Sequence, residues 1–407
     1  MTFELGVNYW PRRSAMYTWR EFDPGEVRDE MAQIASIGFD VVRIFALTQD
    51  FLPDPLAVDP KMIARLVEVV QIAMDAGLTV VPTLIVINMS GLIWWPSWML
   101  DARGRPGNLF SDRAMLQSQV ILAESCARAL AGERAIRAFD LANEIDDAQR
   151  PASRVDGMGW ASALASAIRR AAPMVPIRIG AHLPSLTHDN NMRVDDLASV
   201  VDEDVMHAYP LYSDLARSFL DPQLVPFSCA LTAALSGRGK PALMQEFGLC
   251  TAPAGTPART ITDDFLGKPT PQYLATEEEQ AAYYGDVLEG LVKTGAAGAY
   301  AWCYSDYDPS LYDRAPFATA VRERTFGLVR SDGSEKPAAG VFRRFRQTRD
   351  AAKLESGATH GPTIPNVLDV TADEYYRDPT AHFVRLYARW LSREDQVKGD
   401  AIVRRFS

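Results

Sequence analysis

The chain has 407 residues, 47% hydrophobic and 23% charged, which suits one large globular domain with an extension, or two domains. A formal charge of -10 with no clustered basic face argues against a phosphate-backbone partner, so nucleic acid is not expected as a ligand. The N-terminal "MTFELGVNYWPRR" lacks a signal-peptide pattern and no apolar run reaches the ~18 residues of a membrane span, so a soluble, cytoplasmic protein without a membrane partner is expected.

In chain order, short apolar runs alternate with helical spacing. "FELGVNY" at 3–9 reads as the first strand. After Asp23-Pro24, Val27, Met31, Ile34 and Ala35 recur at i, i+4, i+7 and i+8 until Gly38 stops the helix. "FDVVRIF" at 39–45 is the second strand. A helix opened by Asp59-Pro60 and closed by Gly77 follows, with Ile63, Leu66, Val67, Val70 and Met74 expected on its apolar face. The third strand, "LTVVPTLIV" at 78–86, runs into a long aromatic loop that carries Asn88, Trp94, Trp95 and Trp98. The remaining strands are "IRAFDLA" at 136–142, "PIRIGAH" at 176–182, "EDVMHAY" at 203–209, "PALMQEF" at 241–247 and "AGAYAWC" at 297–303.

Strict strand-then-helix alternation predicts a parallel sheet of the α/β class, and eight units suit a closed (β/α)8 TIM barrel over residues 1–350. An open doubly wound sheet is the competitor, but "GVNYWPRR" puts no glycine-rich phosphate loop after the first strand. Residues 351–407 read as a linker, "AAKLESGATHGPTIPNV", and a short C-terminal helical extension. There Thr371 and Glu374 form a capping-box pattern, and Phe383, Leu386, Tyr387, Trp390 and Leu391 share one face. That face is expected to dock on the barrel or to make a homo-oligomer with a partner subunit. Cys126, Cys229, Cys250 and Cys303 have no CxxC spacing and read as reduced core thiols rather than zinc or disulfide positions.

In such a barrel the chemistry stands at the C-terminal ends of the strands. Arg43 lies on the second strand, Asn88 after the third, Asn143 and Glu144 after the fourth, and His182 after the fifth. His207 and Tyr209 end the sixth strand, Gln245 and Glu246 the seventh, and Trp302 the eighth. Glu144 alone is an ordinary loop acid. Paired with Glu246 across the barrel mouth, it has what retaining glycoside hydrolysis needs, a nucleophile and an acid/base ~5 to 5.5 Å apart. Neither cofactor nor metal is expected. Two bulky loops, after the third and eighth strands, favour a pocket over a groove and hence an exo-acting enzyme on short oligosaccharides.

The Asn143-Glu144 pair, "HAYP", "QEFG", Trp302, Arg43 and the closing "FGLVRSDGSEKPA" together resemble the retaining glycoside hydrolases built on (β/α)8 barrels, most closely glycoside hydrolase family 5. The resemblance implies that Glu144 is the acid/base and Glu246 the nucleophile. It further implies Tyr209 against the nucleophile, His207 and Arg43 as support, and Trp302 as sugar platform. From the residues themselves, Asn143 is a candidate to orient the sugar's 2-hydroxyl and Asn88 a candidate substrate contact, while Trp95, with Trp94 and Trp98, either walls one side of a pocket or joins a hydrophobic cluster under the loop. Where many members carry a histidine after the third strand, this chain has Asn88. The expected activity is retaining β-glycosidase, β-mannosidase or mannanase-like. β-Glucosidase, β-galactosidase or furanosidase activity on the same frame is the first alternative. A metal-dependent amidohydrolase-like barrel, from His182 and His207, and a non-catalytic carbohydrate-binding barrel are the others.

Overall fold

In the computed structural model, which describes residues 3–265, 267–356 and 366–406, the predicted strands all form. They are β1 (Glu4–Asn8), β2 (Val41–Leu47), β3 (Thr79–Val86), β4 (Phe139–Asn143), β5 (Ile177–Gly180), β6 (Val205–His207), β7 (Leu243–Phe247) and β8 (Gly298–Ala301). They pair in parallel in the order β5-β4-β3-β2-β1-β8-β7-β6. The ring closes through a bridge between His182 and His207, with the His207 N–H donating to the Ala181 carbonyl at 2.8 Å. This is a (β/α)8 barrel. Its strands are buried on both faces, which is why they read as continuous apolar runs and not as alternating ones.

The long helices outside the ring are α1 (Pro24–Ile37), α2 (Pro60–Asp75), α3 (Arg113–Leu130), α4 (Arg154–Ala171), α5 (Leu224–Leu235), α6 (Glu277–Lys293) and α7 (Pro337–Ser356). The Asp23 side chain accepts from the Gly25 and Glu26 N–H groups, and Gly38 ends α1 at φ 109°, as its punctuation predicts. On α2 the buried stripe is Met62, Leu66, Val69, Val70 and Ala73, whereas Met74 is 41% exposed. Both stripes share Leu66 and Val70. Packing on the sheet selected the neighbouring one.

Register sets the polar layer inside the ring. Asn8 pairs with Arg43, Thr83 with Asp140, and His207 with Glu246. Below that layer, Val41, Val81, Ala138, Val205, Leu243 and Tyr300 plug the barrel floor. A Cβ on Gly6 would come within 2.3 Å of the Tyr300 ring, so the glycine makes room for the plug. The floor is also more polar than the sequence suggested, because buried Arg178 pairs with Glu4 and Glu203 there. All four cysteines are buried and free.

Two features lay outside the sequence reading. A hairpin, Arg259–Phe265 with Lys268–Leu274, rises after β7, and a shorter one, Asn88–Met89 with Leu92–Ile93, follows β3. The final barrel helix runs to Ser356, past the expected start of the linker, and residues 357–365 of that linker lie outside the described residues. The extension comprises α8 (Ala372–Tyr375), which carries the capping box of Thr371 and Glu374, and α9 (Pro379–Phe406). Phe383, Leu386 and Tyr387 are buried, and Phe383, Tyr387 and Trp390 all pack around Phe227 of α5. Among the described residues, no helix is long and apolar enough to cross a membrane.

Candidate active site

The site is built on a buried arginine. Arg43 has no exposed surface, so every N–H it carries needs an acceptor and its charge needs a partner. Its Nε donates to Thr83 Oγ1 at 2.9 Å and to Asp140 Oδ2 at 3.0 Å, and Nη2 donates to Asp140 Oδ2 at 2.8 Å and Asn143 Oδ1 at 2.9 Å. The remaining nitrogen, Nη1, donates to Asn8 Oδ1 at 3.1 Å and to Glu246 Oε1. Asn8 is fixed in turn by the Gln245 and Ala301 carbonyls, and Gln245 donates to Asp140 at 3.1 Å. Asn8, Thr83 and Asp140 went unnoticed in the sequence because single polar residues inside apolar strands carry no local signal.

Glu246 and Glu144 meet above this layer. The Tyr209 hydroxyl donates to Glu246 Oε2 at 2.8 Å. His207 Nδ1 lies 2.9 Å from Glu144 Oε1 and 3.5 Å from Glu246 Oε1, so the ring bridges the two acids. One carboxylate oxygen of each glutamate lies within 4.8 Å of the other. Gly180 makes the bridge fit: a Cβ there would stand 2.8 Å from the Ala142 carbonyl and 3.0 Å from His207 Cε1. Glu144 itself sits at φ 40°, ψ 50°, a left-handed conformation that a side-chain-bearing residue adopts at some cost.

Burial pushes both glutamates above the ordinary carboxylate range. At Glu246, Arg43 and Tyr209 work against burial, while the neighbouring Glu144 adds to it. At Glu144, His182 and Arg43 oppose burial and Asp146 reinforces it. Two acids this close share their protons. Arg43 and Tyr209 both bond directly to Glu246, which favours its anion over that of Glu144. Burial lowers His207 to about 4, which leaves it neutral near pH 7.

A second histidine behaves oppositely. His182 Nε2 lies 2.9 Å from Asp146 Oδ2, and Nδ1 lies 3.8 Å from Asp147 and 3.9 Å from Glu144. Burial disfavours its charge, but Asp146 and Asp147 outweigh burial and raise it well above the usual imidazole value. Asn190 completes the arrangement by donating to Asp146 at 2.7 Å.

These groups line a cavity of about 450 Å³ at the C-terminal mouth. Of the residues predicted from sequence, Asn88, Asn143, Glu144, His207, Tyr209, Glu246 and Trp302 line it. Arg43 does not; it lies beneath, acting on Glu246 and Asn143. Trp95 is also not among the lining residues and packs half-buried against the core. The short hairpin after β3 turns Met89, Ser90 and Gly91 toward the cavity instead, while Trp94 and Trp98 spend their N–H groups on the Met89 and Leu52 carbonyls. Asp147, Tyr212, Arg322 and Glu323 also line the cavity and were not anticipated. Arg322 and Glu323 come from the loop after β8, which Asp263 of the long hairpin clasps by the Val321 and Arg322 N–H groups, each at 2.8 Å.

Among the described residues, two side-chain sets bring potential metal-ligand atoms within 4.8 Å, Glu144 with Asp147 and His182, and Glu144 with His207 and Glu246. His182 supplies positive charge against the acids of the first set, and Arg43 against Glu246 in the second.

The model of the cellulase family, glycosyl hydrolase family 5, matches residues 12–268 of the chain. The protein belongs to glycoside hydrolase family 5. Among solved structures, a GH5_18 protein from Streptomyces cattleya in complex with GlcNAc superposes with a TM-score of 0.80 at 21% identity, covering 97% of this chain and 91% of that one. A variant of GH5_18 from the same organism, in complex with Manβ1-4GlcNAc, gives 0.76 at 21% identity over 95% and 92%. The exo-β-1,4-mannosidase of Opitutaceae bacterium strain TAV5 gives 0.72 at 26% identity, over 87% of this chain and 60% of that one. No curated protein sequence matches significantly. As a family 5 member the protein is a glycoside hydrolase, and its substrate is a glycoside or oligosaccharide.

Proposed function

We propose that this enzyme is a retaining, exo-acting β-mannosidase-like glycosidase, with Glu246 as nucleophile and Glu144 as acid/base. The separation of the two carboxyls carries the reading. Oxygens within 4.8 Å of each other lie nearer the ~5 to 5.5 Å of a double displacement than the ~6.5 to 9.5 Å of an inverting pair, which supports retention. Glu246, held as an anion by Arg43 and Tyr209, attacks the anomeric carbon. Protonated Glu144 gives its proton to the leaving oxygen, then takes one from the water that releases the sugar. Trp302 offers a face for the pyranose C–H groups. Walls from the β3 hairpin and the β8 loop favour a chain-end substrate, and the Opitutaceae exo-mannosidase and the Manβ1-4GlcNAc complex point to β-mannosides.

The test uses the purified enzyme on a panel of aryl glycosides, with NMR of the first-formed anomer. A β-mannoside is expected to be the best substrate, with retained configuration. Glu246→Ala should abolish turnover of all substrates, and azide should restore some activity with inverted product. Glu144→Ala should spare the first step for a dinitrophenyl glycoside, slow deglycosylation, and respond to azide with a product of retained configuration. Initial release of the inverted anomer, or complete loss of activity to a chelator, defeats the assignment.

A further inference from the structure

The cavity wall beyond Glu144 is contributed by elements far apart in sequence. After β5 the chain carries Leu183, Pro184, Thr187 and His188 into that wall, and Thr380 joins them from the C-terminal extension. Three consecutive carbonyls of the loop, at Ser185, Leu186 and Thr187, each accept a hydrogen bond from an extension hydroxyl. Tyr376 Oη donates to Ser185 at 2.9 Å, Tyr375 Oη to Leu186 at 2.6 Å, and Thr380 Oγ1 to Thr187 at 2.6 Å. Both tyrosines are buried, and Tyr376 Oη also accepts from the Val194 N–H at 3.0 Å. The loop is tied to the segment after β4 as well, since Asn190 donates to both Ser185 Oγ and Asp146, two residues beyond Glu144.

We propose that the extension, through Tyr375, Tyr376 and Thr380, builds the leaving-group subsite and decides which departing sugar the enzyme accepts. The inference rests on the double displacement proposed above, in which the acid/base stands on the side of the leaving oxygen. The wall beyond Glu144 therefore faces the departing group. Its chemistry suits a neutral pyranose: hydroxyl and carboxylate partners from Thr187, Thr380 and Asp147, beside apolar surface from Leu183 and Pro184. A hydroxyl on each of three consecutive loop carbonyls fixes backbone position more tightly than apolar docking would, and a subsite needs that fixity to discriminate.

The two half-reactions separate this role from a structural one. Glycosylation requires the leaving group in its subsite, whereas deglycosylation occurs after it has gone. Thr380→Arg should lower kcat/KM for an unactivated disaccharide at least tenfold. The deglycosylation-limited kcat on a dinitrophenyl glycoside should change less than twofold, and acceleration of that step by an added pyranose acceptor should disappear. Tyr376→Phe, a gentler change, should lower kcat/KM for the disaccharide by a few-fold and leave the deglycosylation-limited kcat within twofold. Equal loss in both half-reactions would reduce the extension to a stabilising clamp, and unchanged disaccharide kinetics in both variants would remove it from the site; either result overturns the proposal. Wild-type inactivity on β-mannosides counts against the mannoside assignment alone, because the same pair of readouts is then taken on whichever glycosides the wild type cleaves.

Discussion

Tyr209 acts on Glu246 and His182 acts on Glu144. The Tyr209 hydroxyl, 2.8 Å from Glu246 Oε2, stabilises the anion and holds the pKa down against burial. Hydrogen bonds to charged groups contribute about 1.5–3 kcal/mol, so Tyr209→Phe should lower kcat/KM by roughly 10- to 100-fold. It should also shift the acidic limb of the pH–rate profile upward, since Glu246 then protonates more easily. An unmoved acidic limb would show that the hydroxyl does not touch the titrating nucleophile. His182, kept charged by Asp146 and Asp147, lowers the pKa of Glu144. Replacing it with Gln removes that positive charge, so Glu144 should keep its proton to higher pH and the alkaline limb should move up. A downward shift of that limb in His182→Gln would mean that another group is the acid.

At the level of elements, Glu30 on α1 provides a stability test that is independent of catalysis. Burial and the neighbouring Glu26 push its carboxyl up to about 8, although Tyr9 Oη donates to it at 2.8 Å and the Arg12 N–H at 3.2 Å; the Arg12 guanidinium stays 3.7 Å away. A carboxyl raised in the folded state favours folding fully below its ordinary value of 4.5, and that contribution is lost as pH rises through about 8. Glu30→Gln keeps an acceptor for both donors and cannot ionise. Its urea midpoint should match the wild type near pH 5 and exceed it near pH 9. A constant difference across that range would show that Glu30 does not titrate there. The same scale shows what was legible. Punctuation such as Asp23-Pro24 and Gly38 is local chemistry, so helix ends read correctly, and apolar runs ending in Asn143-Glu144 and Gln245-Glu246 disclosed the strand tips. Which way Trp95 faces was not legible, because composition reports that a loop is aromatic but not which way its hairpin turns. Arg43 was found, but its partners Asn8, Thr83 and Asp140 depend on register between strands far apart in sequence, which no single segment reports.

Across the whole molecule, the barrel and the extension share one functional wall but need not share one stability. The extension docks through buried Tyr375, Tyr376, Phe383, Leu386 and Tyr387, with Phe383 and Tyr387 packed on Phe227, Tyr387 Oη donating to Asp221 at 2.6 Å and Trp390 Nε1 to Gln223 at 3.1 Å. Such a unit can open without the barrel, at a cost set by its own contacts. Phe383 is fully buried, its ring centroid 5.1 Å from that of Phe227 in an edge-on arrangement. Phe383→Ala in a well-packed site costs about 3–5 kcal/mol, of which roughly 3 kcal/mol corresponds to a hundredfold rise in the population of the open form. Amide exchange across 372–390 should therefore accelerate about a hundredfold. The loop at 183–188 should accelerate with it, since its carbonyls at 185, 186 and 187 lose their hydroxyl partners when the extension leaves, while exchange in the barrel strands stays unchanged. Mass spectrometry of exchange, peptide by peptide, reads all three regions at once. Acceleration confined to 372–390 would show the loop to be rigid by itself, and equal acceleration in the strands would show the extension and barrel to unfold as one unit.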